Sequence, residues 1–297
     1  MRKQVLFTGV ATALVTPFTE DDKIDEVALA AMVERQITAG INALVPCGTT
    51  GEAATLSHEE QERVIRVIVE ATNGRVPVIS GTGSNSTAEA IALTKAAEQA
   101  GADGALLISP YYNKPQQRGV VAHYTAVENA VGIPIIVYNI PGRTASKIEA
   151  ETMARLAAID GIVAVKDATG SPAEVSRVIE NCGQDFAIYS GDDALTLPII
   201  SVGGKGVISV TSNLVPEAMV AMVHEMLHGN PRRAQQAHQH LFPLIETLFL
   251  ETNPCPVKEA LALMGQCDCR VRLPLVTVTN TTSEALRRQL LRIGVIE

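Results

Sequence analysis

The 297-residue chain contains no tryptophan, and aromatic residues make up only 3% of it. Its core must therefore be built from Val, Ile, Leu and Ala, small to medium side chains suited to packing in layers. Positive charge is not in excess: 24 Lys and Arg stand against 32 Asp and Glu, a formal net charge of -8. No Lys/Arg cluster is visible, which argues against a nucleic-acid surface. No run of about eighteen uncharged apolar residues occurs, so no membrane-spanning helix is expected. The first residues, Met1 to Gly9, carry two basic side chains but lack the apolar stretch of a signal peptide, and a cytoplasmic protein is expected. The five cysteines (Cys47, Cys182, Cys255, Cys267 and Cys269) are scattered and odd in number, as reduced thiols would be. Cys267-Asp268-Cys269 has one residue between its cysteines and no second pair, so a surface turn is expected there rather than a metal site. What the chain does have is 46% hydrophobic and 19% charged residues, the balance of a core-building protein.

Short, β-branched apolar runs alternate with amphipathic segments. The runs are Gly9–Val15, Ile41–Pro46, Val76–Gly81, Ala105–Ser109, Pro134–Asn139, Ile162–Asp167, Phe186–Ser190 and Val207–Val210. Near-continuous apolar strands of this kind are buried on both faces. Ser57 with Glu60, and Ser86 with Glu89, have capping-box spacing; Asp25 precedes one helix and Ser171-Pro172 opens another. Gly40, Gly74 and Gly101 stand where helices end. Eight strand–helix units in about 230 residues predict a parallel (β/α)8 TIM barrel over residues 1–230. A doubly wound sheet fits less well: no glycine-rich phosphate loop follows the first strand, and Gly81-Thr82-Gly83-Ser84-Asn85-Ser86 lacks a third glycine. After Pro231 the strand signals stop. Arg232–Leu250, Val257–Met264 and Ser283–Ile293 predict a C-terminal α-helical extension over 231–297, packed on the barrel.

Catalytic residues of such barrels lie at the C-terminal ends of the strands. There the chain carries Gly48-Thr49-Thr50-Gly51-Glu52, Pro110-Tyr111-Tyr112-Asn113, Tyr138-Asn139-Ile140-Pro141-Gly142-Arg143-Thr144, and Lys166-Asp167. Lys166 follows Ile162-Val163-Ala164-Val165. Burial among apolar side chains favours the neutral amine, which attacks carbonyl carbon, so Lys166 is a Schiff-base candidate. The plain alternative is a lysine that leaves the sheet for water. The rim would add hydroxyls, phenols that can relay protons, and a guanidinium that can grip a carboxylate. His224-Glu225-Met226-Leu227-His228 matches the HExxH zinc pattern but falls on an outer helix, with His238 and His240 not obviously placed as a third ligand. His123 has no partner spacing and reads as structural.

At these segments the chain resembles the dihydrodipicolinate synthase family, of the pyruvate-dependent class I aldolase superfamily that includes N-acetylneuraminate lyase. The likeness runs from Phe7-Thr8-Gly9 through Ser190-Gly191-Asp192-Asp193 and Gly206-Val207-Ile208-Ser209-Val210 to Asn253-Pro254-Cys255-Pro256-Val257-Lys258. The resemblance implies that Lys166 forms an imine with pyruvate, whose enamine attacks L-aspartate 4-semialdehyde to give 4-hydroxy-tetrahydrodipicolinate, a step toward diaminopimelate and lysine. No cofactor and no metal are implied. Thr49, Tyr138 and Tyr112 match the family's proton relay, with Tyr112 supplied to a neighbouring subunit. Thr50 matches the pyruvate carboxylate site and Arg143 the anchor of the semialdehyde carboxylate. Ile208 matches a pyruvate-pocket residue and Gly191 a neighbour of the second substrate. A homo-oligomer, as a dimer of dimers, is implied. Ala54, His58, Asn85, Glu89 and Tyr111 match a site for feedback inhibition by L-lysine, where Gln61 replaces a histidine common in inhibited members. A pyruvate lyase acting on a sugar acid or another keto acid is the alternative; such relatives typically lack the arginine at the position of Arg143.

Overall fold

The computed structural model describes Lys3 and residues 5–297; Met1, Arg2 and Gln4, part of the N-terminal stretch read above, lie outside the described residues. Eight parallel strands form one sheet: β1 Gly9–Ala13, β2 Ala43–Val45, β3 Ile79–Gly81, β4 Gly104–Ile108, β5 Ile135–Asn139, β6 Ile162–Asp167, β7 Ala187–Ser190 and β8 Gly206–Ser209. Their order is β2-β1-β8-β7-β6-β5-β4-β3. A parallel bridge between Leu44 and Val78 joins the two ends, so the sheet closes into the expected (β/α)8 barrel. Several strands are shorter than their apolar runs, because residues such as Ile41 and Val15 are buried without laddering.

Alternation along each strand splits the core. Ile136 and Tyr138 of β5 and Ala164 of β6 belong to the barrel-interior cluster with Ala11, Val45 and Ile208. Ile135, Val137 and Val165 pack instead against the outer helices. At Gly9 opposite Gly206 the strands approach so closely that a Cβ on Gly206 would fall 1.8 Å from the Gly9 carbonyl oxygen. Only glycine fits such a seam.

The capping reading holds in full at Ser57: its hydroxyl accepts from the Glu60 amide while the Glu60 carboxylate accepts from the Ser57 amide. At Ser86 half of the box forms. Its hydroxyl accepts from the Glu89 amide, but the Glu89 carboxylate turns away to Ser84 and His58. Gly40, Gly74 and Gly101 each take positive φ just past a helix. Beyond the barrel, helices span Pro231–Thr247, Cys255–Leu263 and Asn280–Ile293. The extension does more than pack on the outer helices. Its connecting segments, around Asn253 and Arg272, reach the residues that follow β2. Among the described residues no helix is long and apolar enough to cross a membrane.

Candidate active site

Lys166 pairs in register with Tyr138 on the adjacent strand. Pleating sends both side chains to the same face, and the Lys166 Nζ stands 4.2 Å from the centre of the Tyr138 ring. Lys166 is only 6% exposed. Burial drives its pKa down to about 8; the Arg143 guanidinium pushes the same way and the Asp193 carboxylate opposes both. Burial raises the Tyr138 phenol well above its usual value, so it stays protonated, with Arg143 opposing that rise. Asp193 is itself buried, and one of its carboxylate oxygens accepts from the Val210 and Thr211 amides and the Thr211 hydroxyl. Gly191 closes the other side of the lysine: a Cβ there would stand 3.1 Å from Lys166 Cε and 3.0 Å from the Asp167 carbonyl oxygen.

The Gly48–Glu52 loop after β2 lies between two strained residues, Cys47 at φ 53° and Glu52 at φ 56°. Gly81 allows it to cross β3, since a Cβ there would meet the Cys47 carbonyl oxygen at 2.1 Å. Gly83 likewise accommodates the backbone of Ile108. Gly81, which ends β3, and Gly83 just beyond it therefore serve close strand approach. Thr49 is half-buried and Thr50 buried. Arg143 is exposed, on a short helical turn, and donates to the Asn253 carbonyl oxygen at 3.3 Å.

A cavity of about 410 Å³ opens here, within the range of small-molecule sites. Thr49, Tyr138 and Arg143 line it together with Asn253. Ala54, His58, Glu89 and Tyr111 line it too, so members of the two residue groups read separately from sequence share one hollow, whereas Lys166, Thr50, Gly191 and Ile208 are not among its lining residues. Asn85 is half-buried and not among the lining residues; its carbonyl accepts from Asn113. The Gln61 side chain lies in the wall, donating to the Ala53 carbonyl oxygen at 3.0 Å. Ile208 is buried in the barrel interior, in the same cluster as Tyr138. Tyr112 is not brought to this site within one chain: it is 87% exposed, at φ 70°.

Sequence reasoning passed over Glu52, Asn253 and Lys258. The Lys258 Nζ donates to Glu52 Oε1 at 2.7 Å with both side chains wholly buried, and to the Thr16 carbonyl oxygen at 2.9 Å. Burial lowers the Lys258 pKa, while Glu52 opposes that fall. The signal was present in the apolar helix sequence around Lys258, the same signal that marked Lys166. Asn253 Nδ2 donates to Thr50 Oγ1 at 3.0 Å, and Asn253 Oδ1 is buried without a partner among the described residues.

The other motifs take structural places. His224 and His228 stack, ring centres 3.9 Å apart, on and just after the outer helix Pro216–Leu227. Among the described residues no group of three His, Cys, Asp or Glu is arranged to hold a metal ion. His123 is buried and bonds Thr87 through Nδ1 at 2.9 Å. Cys267 does not lie in a fully exposed turn: it packs against the core, and burial raises its thiol pKa to about 12.

Residues 6–293 match the dihydrodipicolinate synthetase family. The chain is 52% identical over 291 residues to the 4-hydroxy-tetrahydrodipicolinate synthase of Syntrophus aciditrophicus, covering 98% of this chain and 100% of that one. The dihydrodipicolinate synthase of Acinetobacter baumannii, solved as a chloride-inhibited form complexed with pyruvate, superposes with a TM-score of 0.96 at 43% identity, over 98% of this chain and 100% of that one. The Cyanidioschyzon merolae enzyme, solved with lysine bound, superposes with a TM-score of 0.95 at 41% identity, over 99% and 100%.

Proposed function

The chain belongs to the dihydrodipicolinate synthetase family, and we propose that it is a class I aldolase-type lyase, a 4-hydroxy-tetrahydrodipicolinate synthase. It condenses pyruvate with L-aspartate 4-semialdehyde through a lysine Schiff base, in the biosynthesis of diaminopimelate and lysine. The observation that carries this reading is the buried Lys166 amine beside the Tyr138 ring, its pKa lowered to about 8.

The neutral Lys166 amine adds to the keto carbon of pyruvate; loss of water leaves an iminium. Its positive charge is the electron sink, so a methyl proton leaves and an enamine forms. The enamine carbon bonds to the aldehyde carbon of the second substrate, whose oxygen takes a proton. The substrate amine then adds to the iminium carbon and expels Lys166 as the ring closes. Tyr138, kept protonated by burial, and Thr49 relay these protons. Thr50 holds the pyruvate carboxylate, Ile208 lines the pyruvate pocket, Gly191 borders the second substrate, and Arg143 grips the semialdehyde carboxylate. An arginine on the rim of the cavity favours this small anionic partner over the sugar-acid substrates of the lyase alternative.

Tyr112 completes the relay from a neighbouring subunit, which its 87% exposure and left-handed backbone support. The working unit is then at least a dimer, and a dimer of dimers is the assembly proposed. Residues 1–230 form the catalytic unit and 231–297 its helical extension; the enzyme works in the cytoplasm. L-Lysine binds on the Ala54, His58, Asn85, Glu89 and Tyr111 side of the cavity as a feedback inhibitor.

Borohydride with pyruvate tests the chemistry. The label is expected on the Lys166 peptide and is expected to vanish in Lys166→Ala. A label on Lys205 or Lys258 would overturn the assignment.

A further inference from the structure

Resting on the assignment of Thr50 to the pyruvate carboxylate, we infer that the C-terminal segment sets the geometry of that carboxylate site, with Asn253 and Lys258 as positioning residues. Asn253 touches both anion-binding residues of the proposed reaction. Its side-chain amide donates to Thr50 Oγ1 at 3.0 Å, and its backbone carbonyl accepts from Arg143 at 3.3 Å. A hydroxyl has a single proton. Because the Thr50 oxygen accepts from Asn253, its own proton is not spent on that contact and remains for the pyruvate carboxylate assigned to it.

The loop itself does not sit in a relaxed conformation. Cys47 and Glu52 both take left-handed backbone, which side chains other than glycine rarely adopt. Ties from the C-terminal segment hold it. Both carboxylate oxygens of Glu52 are engaged, Oε1 by Lys258 Nζ at 2.7 Å and Oε2 by the Arg272 amide at 3.0 Å. Lys258 also binds the Thr16 carbonyl oxygen at 2.9 Å, and the Thr16 hydroxyl donates to the Gly51 carbonyl oxygen at 2.7 Å. Thr50, Gly51 and Glu52 are thus each tied, directly or through Thr16, to residues more than two hundred positions away. Apolar residues of similar volume could replace a fully buried ion pair without loss of stability. What they could not supply is directed hydrogen bonds that hold the loop in one conformation.

The experiment measures the pyruvate concentration giving half-maximal borohydride inactivation, in Thr50→Val, Asn253→Ala and the double variant. Thr50→Val and Asn253→Ala are each expected to raise it about tenfold, the effect of one lost charge-assisted hydrogen bond. In the Thr50→Val background Asn253→Ala is expected to add nothing, since it acts through the hydroxyl already removed. Additive effects, or no shift in Asn253→Ala, would overturn the inference. No shift in Thr50→Val would instead overturn the carboxylate assignment. The paired variant Glu52→Gln/Lys258→Met, which leaves no buried charge unpaired, guards against misfolding. It is expected to keep a cooperative melt while weakening pyruvate binding; native pyruvate binding in it would reduce the ion pair to scaffolding.

Discussion

The Lys166 ammonium nitrogen lies 4.2 Å from the centre of the Tyr138 ring, on neighbouring strands at the same register. The aromatic face favours the charged amine, burial the neutral one, and burial prevails, with a pKa near 8. Lys166, as the proposed nucleophile, reacts in its deprotonated form, which is the minor species below that value. Imine formation with pyruvate is therefore expected to rise about tenfold per pH unit between 6 and 7, bend near 8 and level off above. An ordinary lysine would bend near 10.5. Trapping rates measured across pH 6 to 10 decide between them.

Arg143→Ala should separate the two substrates. With the semialdehyde, kcat/KM is expected to fall roughly 10- to 100-fold through loss of a charge-assisted contact. Pyruvate labelling persists. Because Arg143 also helps lower the Lys166 pKa, the bend in the trapping profile is expected to move to higher pH. An unchanged bend would show that the guanidinium does not act on the amine.

Tyr112→Phe is expected to lower kcat by about 10²-fold, the loss of one proton-relay group. Mixing impaired Tyr112→Phe subunits with inactive Lys166→Ala subunits should raise the activity above that of either alone. In a mixed pair, one site receives a native Lys166 from one chain and a native Tyr112 from the other. Failure of every mixture, with exchange verified by mass, would place Tyr112 in its own chain's site.

Lysine titration against initial rate tests the inhibitor site. Glu89→Ala is expected to abolish inhibition, because its carboxylate, held by Ser84 and His58, is an acidic group on that wall. His58→Ala and Tyr111→Phe should weaken it. Inhibition unaltered in Glu89→Ala would exclude this wall.

Lys258→Met alone leaves Glu52 buried and unpaired, and is expected to cost about 3–5 kcal/mol of stability. Adding Glu52→Gln should restore most of that loss. Chemical denaturation of the two variants measures both figures.

The barrel was legible because apolar runs, caps and helix-ending glycines recur with it, and strand ends mark its rim. The separation of inner from outer faces follows from alternation, as Tyr138 and Val137 illustrate. Contacts across the chain were not legible. Thr50 and Asn253 are 203 residues apart, in loops that carry no periodicity. Lys166 and Lys258 both have apolar flanks; only the fold reveals that one meets Tyr138 and the other Glu52. Tyr112 shows a further kind of limit, since its proposed partner lies on another molecule.

The missing side chain at Gly191 has its own consequence. The backbone angles there do not demand glycine; instead Ala168 Cβ, the Asp167 carbonyl oxygen and Lys166 Cε stand where a methyl group would go. An alanine at this position would need these neighbours, the stem of the proposed nucleophile among them, to give by a few tenths of an ångström. In a mutational library selected for growth, position 191 would then register pressure from the reaction itself, while one selected only for soluble expression would let it drift. The contrast between the two libraries turns a single absent methyl into a readout of how tightly chemistry constrains this barrel.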